Sequence, residues 1–230
     1  AVAAAEPRGR EDWKRSFFAV LDGIRFVPSG RILAGAGTGR RTTLFNCFVM
    51  GYIDDSIESI FEHVKQGAVT MQCGGGIGVD FSTLRPRGSE AATRGTIASG
   101  PVSFMRVWDA MCATLLSTGA RRGAMMGTLR CDPPDIEEFI DAKRDPRALR
   151  NFNVSVQVTD GLMAAVAADA EWPLCFPIDD DGTSAGETRR VRWPGRDREV
   201  ECRILRRVPA RALWKRIIDA AYDSAEPGVL

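Results

Sequence analysis

Six cysteines and one histidine are the residues of this chain best suited to moving electrons or protons. Cys47, Cys73, Cys112, Cys131, Cys175 and Cys202 are dispersed, with no C-x-x-C pair. That spacing supplies neither a close redox motif nor the start of a tetrahedral zinc site, so no metal is expected. His63 lies in SIESIFEHVKQGAVTMQ beside glutamate and lysine and reads as a solvated helix residue. With one imidazole and no G-x-S-x-G, a Ser-His-Asp hydrolase has neither its base nor its nucleophile turn. Cys47, in LFNCF, is the thiol to single out. Strand alternation would present it to a barrel interior or the C-terminal face of a sheet, although a lone cysteine also serves as a small hydrophobe.

A second set joins Asp55, ahead of a helix, to Arg85, Arg87 and Arg94, behind a strand. Arginines clamp a triphosphate bidentately, while an aspartate at a helix start is ordinarily a cap. GAGTG at 35–39 and GGGIG at 74–78 could bring backbone amides to phosphate, but neither is a Walker loop or a dinucleotide fingerprint. A run of arginines from Arg189 to Arg207 surrounds Trp193, which suits phosphate binding with base stacking. Asp197, Glu199 and Glu201 interleave them, so a solvated hairpin with weak ion pairs is the better reading.

Strands and helices alternate around these residues, which predicts an α/β architecture. An N-terminal helix carries Trp13, Phe17, Val20 and Leu21 on one face, and a β-rich run, TLFNCFVMGYI, holds Cys47 mid-strand. The next helix opens with Asp55 as N-cap and Glu58 three residues on, a capping box, and its apolar face is Ile57, Ile60, Phe61 and Val64. CGGGIGVDF turns tightly into a strand. Pro101 opens a helix turning Met105, Trp108, Cys112, Leu115 and Leu116 to the core. A helix after Asp132–Asp135 bears Ile136, Phe139 and Ile140, and NFNVSVQVTD is a period-two strand. Thr159 or Asp160 caps the helix behind it, EWPLCFPI is a short buried strand, and a hairpin turns at Pro194–Gly195. The last helix is expected to bury Leu213, Trp214, Ile217, Ile218 and Ala221.

Composition closes other classes. The 230 residues are 44% hydrophobic and 27% charged, an ordinary globular mixture, and a net charge of +1 creates no field drawing the chain to nucleic acid or anionic lipid. No apolar run approaches the roughly 18 to 20 residues that span a bilayer, and AVAAAEPRGREDW lacks the pattern of a signal peptide. No membrane or nucleic-acid partner is expected, and the location expected is cytoplasmic. The absence of an initiator methionine and the ending at SAEPGVL suggest a piece of a longer polypeptide.

Seven stretches carry a resemblance in this order: PSGRILAGAGT, TLFNCFVMG, DSIESI, MQCGGGIGVDFSTLRPRG, ASGPVSFMRVWDAMC, GARRGAMMGTLRCDPPDIEEFI and NFNVSVQVTD. Together they closely resemble the catalytic chain of ribonucleotide reductases, and the wording is most similar to the adenosylcobalamin-dependent (class II) branch. The resemblance runs from about residue 24 to the end, leaving 1–23 as an N-terminal helical segment and 24–230 as the first part of the catalytic barrel. It implies a ten-stranded α/β barrel of two five-stranded halves, this chain supplying the first half and the helices that carry an effector site. The implied chemistry replaces the ribose 2′-OH by hydrogen for DNA precursor synthesis. A thiyl radical, started by adenosylcobalamin, opens the reaction, and two further cysteines close it as a disulfide.

Carried over by resemblance, Cys47 matches the first of the reducing pair, Ser29, Asn46 and Gly76 match substrate-binding positions, and Asp55, Ser56, Ile57, Arg85 and Arg94 match the effector site. The segment from Asp145 to Asn153 resembles the loop linking effector identity to substrate choice, pinned at its ends and free in its middle. The implied partners are a ribonucleotide substrate, a deoxynucleotide or ATP effector, and a thioredoxin- or glutaredoxin-type reductant. A homodimer would use the Asp55 helix and the helix at 101–118. The family usually reads C-D-H-P where this chain has Cys131-Asp132-Pro133-Pro134, which predicts a local change. The radical cysteine, the partner of Cys47 and most cobalamin contacts are expected outside this chain, which alone would be inactive. Two other readings stand beside this one: a non-enzymatic or vestigial nucleotide-binding module keeping only the effector site, and a reductase of the diiron-dependent branch.

Overall fold

A computed structural model of the chain describes residues 2–39, 42–89, 97–115, 123–178 and 186–230. After a short 3-10 turn (Val2–Ala5), the elements run α1 (Arg10–Asp22), α2 (Gly30–Gly35), β1 (Cys47–Val49), α3 (Ile57–Gln72), β2 (Gly76–Asp80), α4 (Pro101–Thr114), β3 (Met125–Arg130), α5 (Ile136–Asp141), β4 (Phe152–Gln157), α6 (Asp160–Ala167), β5 (Glu171–Pro177), β6 (Thr188–Arg192), β7 (Glu199–Pro209), α7 (Ala210–Ser224) and β8 (Gly228–Val229).

The main sheet has five strands in the order β1-β2-β3-β4-β8, each pair parallel. Parallel neighbours need a crossover, and α3, α4 and α5 supply the first three. The strands alternate accordingly. Ile77, Val79, Met125, Leu129, Val154 and Val156 are buried toward the helices, while Cys47, Gly76, Gly78, Met126, Thr128 and Asn153 occupy the open face. This is the five-stranded α/β half that the resemblance implies, and its strands are all parallel. Beneath the helices, Phe81 meets Trp108 edge-on at 5.3 Å and Phe152 at 6.0 Å. Ile136, Phe139 and Ile140 complete that core, each contributing about 1.5–3 kcal/mol by leaving water.

A second, antiparallel sheet has the order β5-β7-β6. Its hairpin turns at Pro194–Gly195 as the dipeptide predicts, with Gly195 at φ 73°. Thr159 caps α6, accepting from the Leu162 amide at 3.2 Å.

Several expectations are corrected. Cys47 opens β1 and is not mid-strand, because the Phe45 amide donates to Thr43 Oγ1 and turns the chain just ahead of it. The N-cap of α3 is Ser56, not Asp55. The buried stripe of α3 is Ile60, Gly67 and Met71, with Val64 half-buried, so Ile57 and Phe61 flank it at 56% and 51% exposure. In α7, Ala220 is buried where Ala221 was expected and Ile218 faces out, because Leu213, Ile217 and Ala220 set the stripe. Helix α1 buries no residue. Helix α4 ends at Thr114, and Leu116, with the rest of the predicted helix to 118, lies outside the described residues.

Candidate functional site

The exposed thiol is assembled from three segments. Ser29 precedes α2 but does not cap it with its side chain, and its hydroxyl instead accepts from Asn46 Nδ2 at 2.8 Å. The Asn46 carbonyl accepts from the Gly76 amide at 2.7 Å, which sets the register of Cys47 opposite Gly76. Cys47 is exposed. A Cβ added at Gly76 would stand 3.7 Å from its sulfur and 3.3 Å from the Ala124 carbonyl, so glycine keeps the floor beside the thiol clear. The turn into β2 needs Gly74 at φ 88°, where Arg31 also bonds the Gly74 carbonyl. Ser29, Asn46, Cys47 and Gly76 are therefore brought to one place, at the N-terminal ends of β1 and β2.

Asp55 and Arg85 also meet. Arg85 Nε donates to Asp55 Oδ2 at 2.6 Å, with both side chains partly buried. Asp55 is free for this because Ser56 accepts from the Ser59 amide at 3.1 Å and Ser59 Oγ accepts from the Asp54 amide at 3.0 Å, a reciprocal cap. Ile57 begins α3 beside them, and Arg94 lies outside the described residues. Arg87, two residues on, donates to Ser103 Oγ at 3.0 Å and Glu138 Oε1 at 2.7 Å. Its amide donates to buried Asp135 at 3.0 Å. Burial pushes the Asp135 carboxyl up, and the Arg87 amide opposes that only in part.

The segment 145–153 borders an open cavity of about 840 Å³ between α4 and α5, with Arg106, Asp109, Glu138 and Leu149 in its wall. Its far end is pinned as expected: the Asn151 amide donates to Asp109 Oδ1 at 2.9 Å. Its middle is held more firmly than expected, because Leu149 is buried with φ 47°. Near its start, hydrogen bonds from Arg147 hold the Asp145 carboxyl low.

Sequence reasoning missed Asp132. It is fully buried, receiving Arg130 Nε at 2.8 Å and Arg189 Nη2 at 2.9 Å, with Arg189 lying 4.7 Å above the Trp172 ring. Acid–arginine separations of 2 and 57 residues leave no periodic signal, so only the fold joins them. Arg206 and Arg207 of the hairpin pair with Glu137 and Glu187, where the sequence pattern points to Asp197, Glu199 and Glu201. Trp193 is only 3% exposed and cannot stack on a base. His63 is half-buried, not solvated, with Nδ1 3.0 Å from the Ser59 carbonyl.

Five parallel strands joined by helices make this half of an α/β barrel, with a thiol exposed on its open face at the start of the first strand. The family described as ribonucleotide reductase, barrel domain, matches residues 45–230, and the chain belongs to the ribonucleotide reductase family. It is 37% identical over 93% of its length to the vitamin B12-dependent ribonucleoside-diphosphate reductase of Thermoplasma acidophilum, covering 25% of that protein. It is 36% identical over its whole length to the enzyme of the same name from Mycobacterium tuberculosis, covering 30% of it. The chain thus spans roughly a quarter to a third of the curated relatives it matches. Its fold is similar to the class Id ribonucleotide reductase alpha subunit of Actinobacillus ureae, with a TM-score of 0.66 and 20% identity, over 94% of this chain and 32% of that one.

Proposed function

We propose that this chain is part of the catalytic chain of an adenosylcobalamin-dependent ribonucleotide reductase and that Cys47 is one of its two reducing thiols. The observation that carries the reading is the gathering of Ser29, Asn46 and Gly76 around an exposed Cys47. In the reaction, the ribose C2′–OH bond breaks and a C2′–H bond forms. Two thiols give up two protons and two electrons, water leaves, and a disulfide results. Cys47 gives one hydrogen equivalent to the sugar, Asn46 and Ser29 offer polar atoms to it, and Gly76 lets it lie close. A dithiol reductant of the thioredoxin or glutaredoxin type would restore Cys47.

The cofactor assignment follows the names of the relatives. The open face leaves room for a large group with apolar and polar parts: Val49 (95% exposed), Tyr52 and Met126, with Arg130, Arg192 and Arg196, border a groove of about 850 Å³. These residues would border adenosylcobalamin, which supplies the radical equivalent when bound. Asp55, Ser56, Ile57, Arg85 and Arg94 would hold the effector, a deoxynucleotide or ATP, Arg85 exchanging part of its bond to Asp55 for phosphate. The exposed Ile57 and Phe61 on α3 offer an apolar twofold contact for a homodimer. No helix among the described residues is long and apolar enough to cross a membrane, and a cytoplasmic location suits DNA precursor synthesis.

The test is Cys47→Ser in the reductase chain that carries this segment. Multiple turnover with a dithiol reductant should stop, while calorimetry with dATP, dTTP and dGTP should still show binding. Full multiple turnover would overturn the assignment. Activity that depends on adenosylcobalamin and needs no diiron subunit would fix the branch.

A further inference from the structure

Two of the four buried cysteines are neighbours. Cys175 on β5 and Cys202 on β7 lie on adjacent antiparallel strands, whose register pairs Cys175 with Ile204 and Pro177 with Cys202. They therefore occupy diagonal positions on one face of the sheet, next to a ladder irregularity between Leu174 and Cys175. Both are fully buried with Val191 and Trp193 in the small core of this sheet, where the Cys202 thiol donates to the Val200 carbonyl at 3.9 Å. The surroundings are fixed: the Cys175 amide donates to the Asp132 carbonyl at 2.8 Å, and the Asp132 carboxylate holds Arg189 of β6. The two thiols are not equivalent. The neighbouring Cys202 thiol, aided by Arg189, draws Cys175 below the ordinary thiol range against the effect of burial. The neighbouring Cys175 and burial push Cys202 up. Cys112 and Cys131 have no such partner, and burial raises both, Cys131 to about 11.

We propose that Cys175 and Cys202 are an oxidisable dithiol, closed to a disulfide by a peroxide and reopened by a dithiol reductant. The Cys175 thiolate attacks the peroxide, breaking the O–O bond, giving a Cys175 sulfenic acid and releasing hydroxide or alkoxide. The Cys202 sulfur then attacks the Cys175 sulfur. The S–S bond forms, the S–O bond breaks, and the Cys202 proton leaves with the oxygen as water. Each sulfur is oxidised by one electron, and the two electrons reduce the peroxide. Reduction runs back by thiol–disulfide exchange. Local opening of the hairpin gives a molecule as small as a peroxide its access. Closure ties β5 to β7 beside the Asp132–Arg189 contact. The proposal does not depend on the role given to Cys47.

The test treats the folded chain with hydrogen peroxide, blocks remaining thiols with iodoacetamide in denaturant, and maps the peptides. The expected product joins the Cys175 and Cys202 peptides, lighter by two hydrogens and separated again by dithiothreitol. Cys202→Ser should leave a Cys175 sulfenic acid that dimedone traps. Recovery of both cysteines as alkylated thiols under conditions that oxidise Cys47 would overturn the proposal. So would a Cys202→Ser chain without a dimedone adduct at Cys175.

Discussion

The Cys47 sulfur lies beside Gly76, its register partner across β1 and β2, with no side chain between them and the open face. An alanine there would bring its methyl to 3.7 Å from the sulfur and 3.3 Å from the Ala124 carbonyl. The second contact is tight, yet Gly→Ala also lowers the entropy of the unfolded chain by about 0.4–1 kcal/mol, so the terms nearly offset. Gly76→Ala should leave the thermal midpoint almost unchanged. If this is where the nucleotide lies, calorimetry on the reductase should show substrate affinity reduced by about tenfold, the equivalent of about 1.4 kcal/mol. Unchanged affinity would remove Gly76 from the site.

Ser56 has a structural duty that can be separated from a ligand-binding one. Its hydroxyl accepts the Ser59 amide at the start of α3, and losing such a cap costs about 1 kcal/mol. Ser56→Ala should lower the unfolding free energy measured by urea titration by that amount, and Ser56→Asp, which keeps an acceptor, should restore it. If Ser56 also meets an effector, nucleotide affinity should stay low in Ser56→Asp, where a carboxylate faces the phosphates. Restoration of both properties together would make Ser56 a cap alone.

Asp132 holds two sheets together by charge. Its carboxylate, out of contact with solvent, bonds Arg130 from the parallel sheet and Arg189 from the hairpin. Removing one member of a buried ion pair leaves an uncompensated charge and costs about 3–5 kcal/mol. Asp132→Ala should therefore be the most destabilising single change among those considered. Asp132→Asn, which keeps an acceptor but not the charge, should fall between it and the wild type. Chemical denaturation followed by Trp172 and Trp193 fluorescence measures both.

The same cluster shows where sequence reading succeeds and where it stops. The helices over Pro101–Thr114 and Ile136–Asp141 and the strand Phe152–Gln157 were legible because apolar spacing and proline placement are local signals. The neighbourhood of Ser29, Asn46, Cys47 and Gly76 became legible only through motif order, since strand pairing joins residues that no periodicity connects. Asp55 was read as a cap because aspartate at a helix start usually is one. Ser56, equally good at that task, took it and left Asp55 to Arg85. The contact of Asp132 with Arg189 joins a hairpin to another sheet, and the placing of Cys175 near Cys202 comes from the pairing of β5 with β7. No local pattern encodes them.

Asp135 provides a pH-dependent check on the packing behind Arg87. Burial raises its pKa above the usual aspartate range, and one oxygen accepts the Arg87 amide while the other is buried without a partner among the described residues. The folded state thus binds this proton more tightly than the unfolded state. Stability from this group is fully present below the unfolded pKa and is lost as pH rises through the higher folded value. Asp135→Asn keeps the acceptor for Arg87 and never ionises. The wild type should therefore lose stability relative to Asp135→Asn as pH climbs through the carboxylate range, and the gap should level off above the folded pKa. Urea midpoints of both proteins across that range measure it, and a gap independent of pH would show that Asp135 ionises in the fold as freely as in the unfolded chain.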